Sequence, residues 1–186
     1  MNKMQVRVGT AFVSAVAAAA ASVVLIGPAG ADVQATSSAV YSCTEPPFPA
    51  GDSTWNLTIT APKYANLFDP IPLAVVLEPA RPTPVEIPAN GVKGTVAIRV
   101  TGPESRVVTA TGLTNPTAVP VGELAVLTGG KATVIPEKTG VYKFTPASFE
   151  LRTWMDTVLA CVPKDEPSVA AQTKVIGTTP TVPPTP

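Results

Sequence analysis

Proline narrows what this chain can fold into more than any other residue. It occurs 22 times in 186 residues, and beyond residue 31 it recurs at short intervals as far as Pro186. A ring that locks φ and removes a backbone donor breaks helices, yet is tolerated at strand ends, edges and turns. Gly and Thr are also frequent, and no segment shows strong helical periodicity. An all-β chain is expected.

Alternation of period two then locates the strands. Within 54–60, Trp55, Leu57 and Ile59 share one face, and within 71–77, Ile71, Leu73, Val75 and Leu77 do the same. Within 92–100, Val92, Val96, Ile98 and Val100 oppose Lys93, Thr95 and Arg99. Shorter candidates are 40–43, 106–111, 123–127, 132–135, 141–145, 148–153 and 157–162, separated by turn pairs such as Asn90 with Gly91 and Gly129 with Gly130. Many short antiparallel strands predict an immunoglobulin-like antiparallel β-sandwich. Gly140, Val141 and Tyr142 match the Gly-x-Tyr of a tyrosine corner, although Tyr142 is explained at least as well as a core aromatic beside Phe144.

Export is written into the first residues. Lys3 and Arg7 precede an uncharged Ala/Val-rich run, and Ala29, Gly30 and Ala31 form an A-x-A pattern, so 1–31 is expected to be a signal peptide cleaved after Ala31. The alternative is a retained anchor, which the weakly hydrophobic Ala content and the break at Gly27 and Pro28 disfavour. After cleavage, 32–39 reads as a short extension, 40–163 as the β-sandwich domain and 164–186 as a flexible Pro/Thr-rich tail. No Leu-Pro-x-Thr-Gly sorting motif appears, so covalent wall anchoring by that route is not expected.

The chain has two Cys. In an exported protein these most simply form one disulfide, Cys43 to Cys161, with free thiols or an intermolecular bridge as the alternative. Closing so long a loop is worth about 4 to 5 kcal/mol in the chain-entropy model. Once Lys3 and Arg7 are removed, 11 basic residues stand against 13 acidic ones. A net charge near −2 and the lack of any Lys/Arg run argue against nucleic acid and anionic membranes as partners.

Tyr41, Ser42 and Cys43, the Pro-rich middle, Gly140 to Pro146, and the final Leu159, Ala160, Cys161 together resemble secreted domains of unknown function in actinobacteria. The resemblance spans roughly 40–163. It implies a disulfide-bridged immunoglobulin-like sandwich with Cys in the first and last strands, and no activity comes with it. Ala147 stands where the family usually has Gly.

Chemistry is constrained by what is missing. His is absent, which removes Ser-His-Asp, Cys-His and His-metal arrangements, and no phosphate loop or dinucleotide fingerprint occurs. Carboxylates remain: Glu45, Asp52, Asp69, Glu150 and Asp156 lie near turns, and a pair at the right separation would suffice for glycoside hydrolysis. Asp52 and Asp69 could contribute to a calcium site, though no dense ligand run accompanies them. No cofactor or metal is expected.

The two Trp differ. Trp55 shares the parity of Leu57 and Ile59 and belongs to the core. Trp154 breaks the parity of Phe149 and Leu151, so it could stand exposed beside Arg152 and Asp156 as a platform for a sugar ring or a partner side chain. The plainer expectation is that a turn after Thr153 returns it to the core. Taken together, these features predict a secreted, non-enzymatic structural or interaction module of the cell envelope or extracellular space. Its partner would be an envelope or extracellular protein or glycan. A carbohydrate-binding module using Trp154 is the first alternative, and a carboxylate-dependent glycosidase the second.

Overall fold

The computed structural model describes residues 32–46 and 48–177. The expected signal segment with its cleavage site at Ala31, and the Pro/Thr-rich stretch from 178 onward, lie outside the described residues. Every described element is a strand: β1 Asp32–Glu45, β2 Phe48–Pro62, β3 Tyr64–Asn66, β4 Ile71–Pro79, β5 Val92–Thr101, β6 Arg106–Thr114, β7 Leu127–Val134, β8 Gly140–Thr153, β9 Val158–Pro163 and β10 Ala171–Ile176. The all-β expectation holds.

The order in which these strands meet departs from a pair of separate sheets. Following hydrogen bonds from β1 leads to β2, β4, β7, β6, β5, β8 and β9, and β9 pairs back onto β1. All eight contacts are antiparallel, so the strands form a closed ring around one interior, which leaves few unpaired edges. The strand that makes closure possible is β8. Expected as two strands, 141–145 and 148–153, it runs unbroken through Pro146, with a register irregularity opposite Val96 to Ile98. Its first half pairs with β10 and its second half with β9. A proline beside a bulge is tolerated because the ladder is already interrupted there.

The interior is filled by the faces that alternation selected. Leu57 and Ile59, Leu73 and Val75, and Val96, Ile98 and Val100 are all buried. Cys43 and Cys161 face each other across β1 and β9, with an S–S distance of 2.04 Å. The disulfide therefore crosses the strand pair that completes the ring. Phe149, opposite Cys161 in the β8–β9 register, packs between Tyr41 and Trp55 with ring centroids 5.0 Å from each. Tyr142 is both a core residue and a corner: it is fully buried, its hydroxyl donates to the Lys138 carbonyl at 2.9 Å, and the Lys138 N–H approaches the same oxygen at 3.3 Å.

Three expected boundaries change. Residues 32–39, expected as a short extension ahead of the domain, form the first half of β1, paired with β2 from Asp32 opposite Pro62 to Ala39 opposite Trp55. Few of those side chains are apolar, so backbone pairing to β2 does most of the holding, helped by buried Ser37 and by Ala39 against the core. The segment 164–177 is likewise not a tail. Ala171, Thr173 and Val175 are buried on the inner face of β10, and Thr173 Oγ1 donates to the Pro62 carbonyl at 2.6 Å. Finally, 123–126 is loop and only Leu127 begins a strand, since the Glu123 carbonyl accepts from the Thr83 N–H at 2.8 Å in the neighbouring connection.

Candidate functional site

Strand direction sorts the connections into two ends of the ring. The β1–β2 turn, the 80–91 loop, the 115–126 loop and the β8–β9 turn share one end; 63–70, 102–105 and 135–139 share the other. The two longest connections are thus side by side, and loops of that length in a small domain are usually functional.

These two loops are laced together. Ile87 and Val119 exchange both backbone hydrogen bonds, and Gly122 N–H donates to the Thr83 carbonyl at 2.9 Å. Asn115 is the knot: its side chain is buried, accepts from Val92 N–H at 2.8 Å and donates to the carbonyls of Pro88 at 2.7 Å and Thr117 at 2.9 Å. Every site on that amide that could be left wanting is used, as burial demands. Asn115 precedes Pro116 as an ordinary turn residue would, and nothing in that local pattern reveals contacts to residues more than twenty positions away.

Beneath the laced loops the ring interior opens into a cavity of about 300 Å³. Much of its wall is apolar, built by Trp55, Ile87, Val92, Leu127, Leu151 and Leu159, and half-buried Glu45 and exposed Arg81 also line it. Trp55 is 8% exposed, which bears out its core assignment, yet its Nε1 is buried without a hydrogen-bond partner. Tyr41, the far member of the aromatic row, also has a buried hydroxyl without a partner, and burial pushes its phenol up to about 12. Tyr142 is shifted the same way, chiefly by desolvation, with the Lys138 hydrogen bond acting against it.

A second concavity, of about 560 Å³, lies on the outer face of β6, β5 and β8. Lys93, Thr95, Glu150 and Arg152 project into it. Next to it the β8–β9 turn is closed by Asp156 N–H to the Thr153 carbonyl and Thr153 N–H to the Thr157 carbonyl, both 3.0 Å, with Asp156 in the left-handed region at φ 59°. So short a turn leaves no chain to fold back. Trp154 accordingly sits at the tip, 39% exposed, with Met155 beside it, rather than returning to the core. Arg152 and Asp156 flank it as an exposed ion pair at 3.5 Å, a contact of little energetic weight.

The five carboxylates are dispersed. Glu45 lines the end cavity, Glu150 the outer groove and Asp156 the hairpin tip, and neither concavity has a second acid of the five among its lining residues. Asp52 is held by Lys164 Nζ at 2.8 Å. Asp69 accepts from Asn66 at 2.8 Å in the β3–β4 connection. These two stand toward opposite ends of the ring, separated by most of β2, roughly 25 Å at the usual strand rise, which parts the pair considered for calcium. Among the described residues no group of three or more potential metal-ligating His, Cys, Asp or Glu side chains is gathered, and no helix is long and apolar enough to cross a membrane.

Compared with protein-family models, with curated proteins and with solved structures, the chain gives no match.

Proposed function

We propose that this chain is an exported, non-enzymatic interaction module of the cell envelope or extracellular space, working through the end that carries the long loops. One observation carries the reading: two long connections are fixed to each other by Asn115 and their own backbone bonds, and they present Val85, Val121 and Leu124 to solvent. Apolar side chains held on a rigid rim are what a protein partner needs, because little ordering entropy is left to lose on binding. The disulfide is compatible with an oxidising compartment. In the same reading 1–31 is a signal peptide and 178–186 a Pro/Thr spacer. The ring is then an immunoglobulin-like sandwich with joined margins, supported by the corner at Tyr142 and by Trp55 packed near the Cys pair. The likeness to actinobacterial secreted domains belongs to this proposal.

A photo-crosslinking residue at position 121, compared with one at exposed Val107 on β6, tests the reading on the native surface. A discrete adduct from 121 and none from 107 is expected. Equal labelling from both positions, or turnover of a polysaccharide or ester by the purified protein, would remove it.

A glycan partner is the second reading. It is favoured by exposed Trp154 standing near a groove that offers Lys93, Glu150 and Arg152, since sugars bind by stacking on an aromatic and hydrogen bonding to polar neighbours. Retention on insoluble cell-wall polysaccharide should fall sharply in Trp154→Ala; equal retention of both proteins ends this reading.

A further inference from the structure

We infer that the loop end of one copy receives the opposite end of a second copy: the Phe68 ring enters the cavity under the laced loops, and copies associate head to tail. The inference rests on the reading of the loop end as an interaction face and names its partner as this chain itself.

The projecting part is Phe68. It is 64% exposed and sits at φ 67°, where a bulky residue is an outlier that persists only if its surroundings over-determine it. They do: Leu67 N–H donates to the Ile176 carbonyl and Phe68 N–H to the Pro136 carbonyl, both 2.9 Å, while Asn66 Nδ2 donates to Asp69 Oδ2 at 2.8 Å. Neither the strain nor the exposed ring serves the fold, and an aromatic held so rigidly has little entropy left to lose when a partner buries it. Ile135, next to Pro136, is 53% exposed and widens the apolar tip.

The receiving part is the cavity at the other end. Its volume of about 300 Å³ exceeds the roughly 150 Å³ in which an apolar cavity admits a benzene ring, and Leu127, Leu151 and Leu159 supply apolar wall. Exposed Arg81, Pro82 and Pro84 are among its lining residues, so it opens to solvent at the 80–91 loop. Charge fits as well. The 63–70 connection carries Lys63 and Asp69, the cavity lining carries Glu45 and Arg81, and among the described residues none of the four makes an ion pair. Each end thus brings one charge of either sign to the contact, and opposite pairs fix its register. Strand direction places tip and cavity at opposite ends, so the contact is heterologous: a pair still has one free tip and one free cavity, and association continues.

Sedimentation equilibrium of the purified protein tests this. The weight-average mass of the wild type is expected to rise with concentration beyond that of a pair. Phe68→Asn removes the ring with a residue type that suits positive φ, so the turn is kept; it should weaken association about thirtyfold, as loss of a central aromatic anchor does. Ala125→Phe, which fills the cavity from its lining, and Arg81→Asp at the surface should each weaken it too, the second serving where the first does not fold. Mixed with Phe68→Asn, whichever of those two is folded should form a 1:1 pair and stop there, since one intact tip meets one intact cavity. A wild type that stays monomeric, undiminished association in folded Phe68→Asn protein, or a mixture that fails to pair would each overturn the inference. A monomeric wild type that still yields a discrete adduct from position 121 overturns this inference alone, whereas no adduct from 121 removes the reading beneath it.

Discussion

The two ends of the ring are built from the same kind of strand and do opposite things with their connections. At one end 102–105 folds tightly onto β8: a Cβ on Gly102 would stand 2.2 Å from the Val141 carbonyl oxygen, and one on Gly140 would stand 2.5 Å from Pro103. Arg106 donates to the Ile135 carbonyl and Tyr142 to Lys138, so that end is closed by short chains in van der Waals contact. At the other end two long loops arch over an apolar space, and the aromatic row below them keeps two polar atoms without partners. The contrast teaches where stability and binding capacity reside. Both ends keep buried polar atoms without hydrogen-bond partners, Glu104 Oε2 and Arg106 Nε at the first and those of Tyr41 and Trp55 at the second, so what separates them is packing: one end is filled by short chains and the other leaves a volume open.

The largest effect concerns the seam between β1 and β9, on which both ends depend. Reducing the Cys43–Cys161 bridge should lower stability by about 4 to 5 kcal/mol, a large share of a small domain's total. An unchanged urea midpoint after verified reduction would contradict it.

Glycines sharpen the comparison, because Gly102 and Gly122 both have positive φ, 137° and 86°. Gly102→Ala should cost about 3 kcal/mol, strain and collision together, whereas Gly122→Ala at the loop end meets nothing within 4 Å and should cost about 1 kcal/mol from backbone strain alone. Similar losses on chemical denaturation would erase the distinction between a packed and an open end.

Asn115 decides whether the loop end is open but rigid. Asn115→Ala orphans the Val92 N–H and the Pro88 carbonyl, and should cost about 2 kcal/mol. Amide exchange should quicken in 80–91 and 115–126 and stay unchanged in 102–105. Uniform acceleration would mean that the loops are not a unit.

The tyrosines give the smallest effect at neutral pH. Tyr142→Phe loses its contacts to Lys138 and should cost about 1 kcal/mol, while Tyr41→Phe removes an unpartnered hydroxyl and should be neutral or slightly stabilising. Alkali separates them further. The Tyr41 phenol is raised in the folded protein to about 12 from an ordinary 10, so the unfolded chain loses that proton first. Its contribution to stability is complete below pH 10 and is lost as pH rises toward 12. Tyr41→Phe should flatten that decline; an identical alkaline profile would refute the burial argument.

What could be read in advance is uneven, and particular residues show why. Trp55 fell on the buried face because its neighbours Leu57 and Ile59 declare a parity. Trp154 was expected inside, because parity ends at Thr153 and the outcome depends on how few residues the turn spans. Residues 171–176 alternate as plainly as 92–100, yet the Pro and Thr around them obscured a pattern carried by Ala171, Thr173 and Val175. Of the candidate site, Glu45 and Trp55 were singled out for other reasons, and the cavity that joins them to Arg81 was invisible.

Strand, turn and half-buried face are properties of residues a few positions apart, so proline spacing and alternation determined an all-β chain, and the two Cys pointed to its one covalent tie. Which strands lie beside which is settled by contacts across the whole length. Closure of the ring through β8 and β9, the two unlike ends, and the hollow beneath Asn115 belong to the tertiary structure alone. They arise where distant backbones compete for the same hydrogen-bonding edge, and no local pattern records the winner.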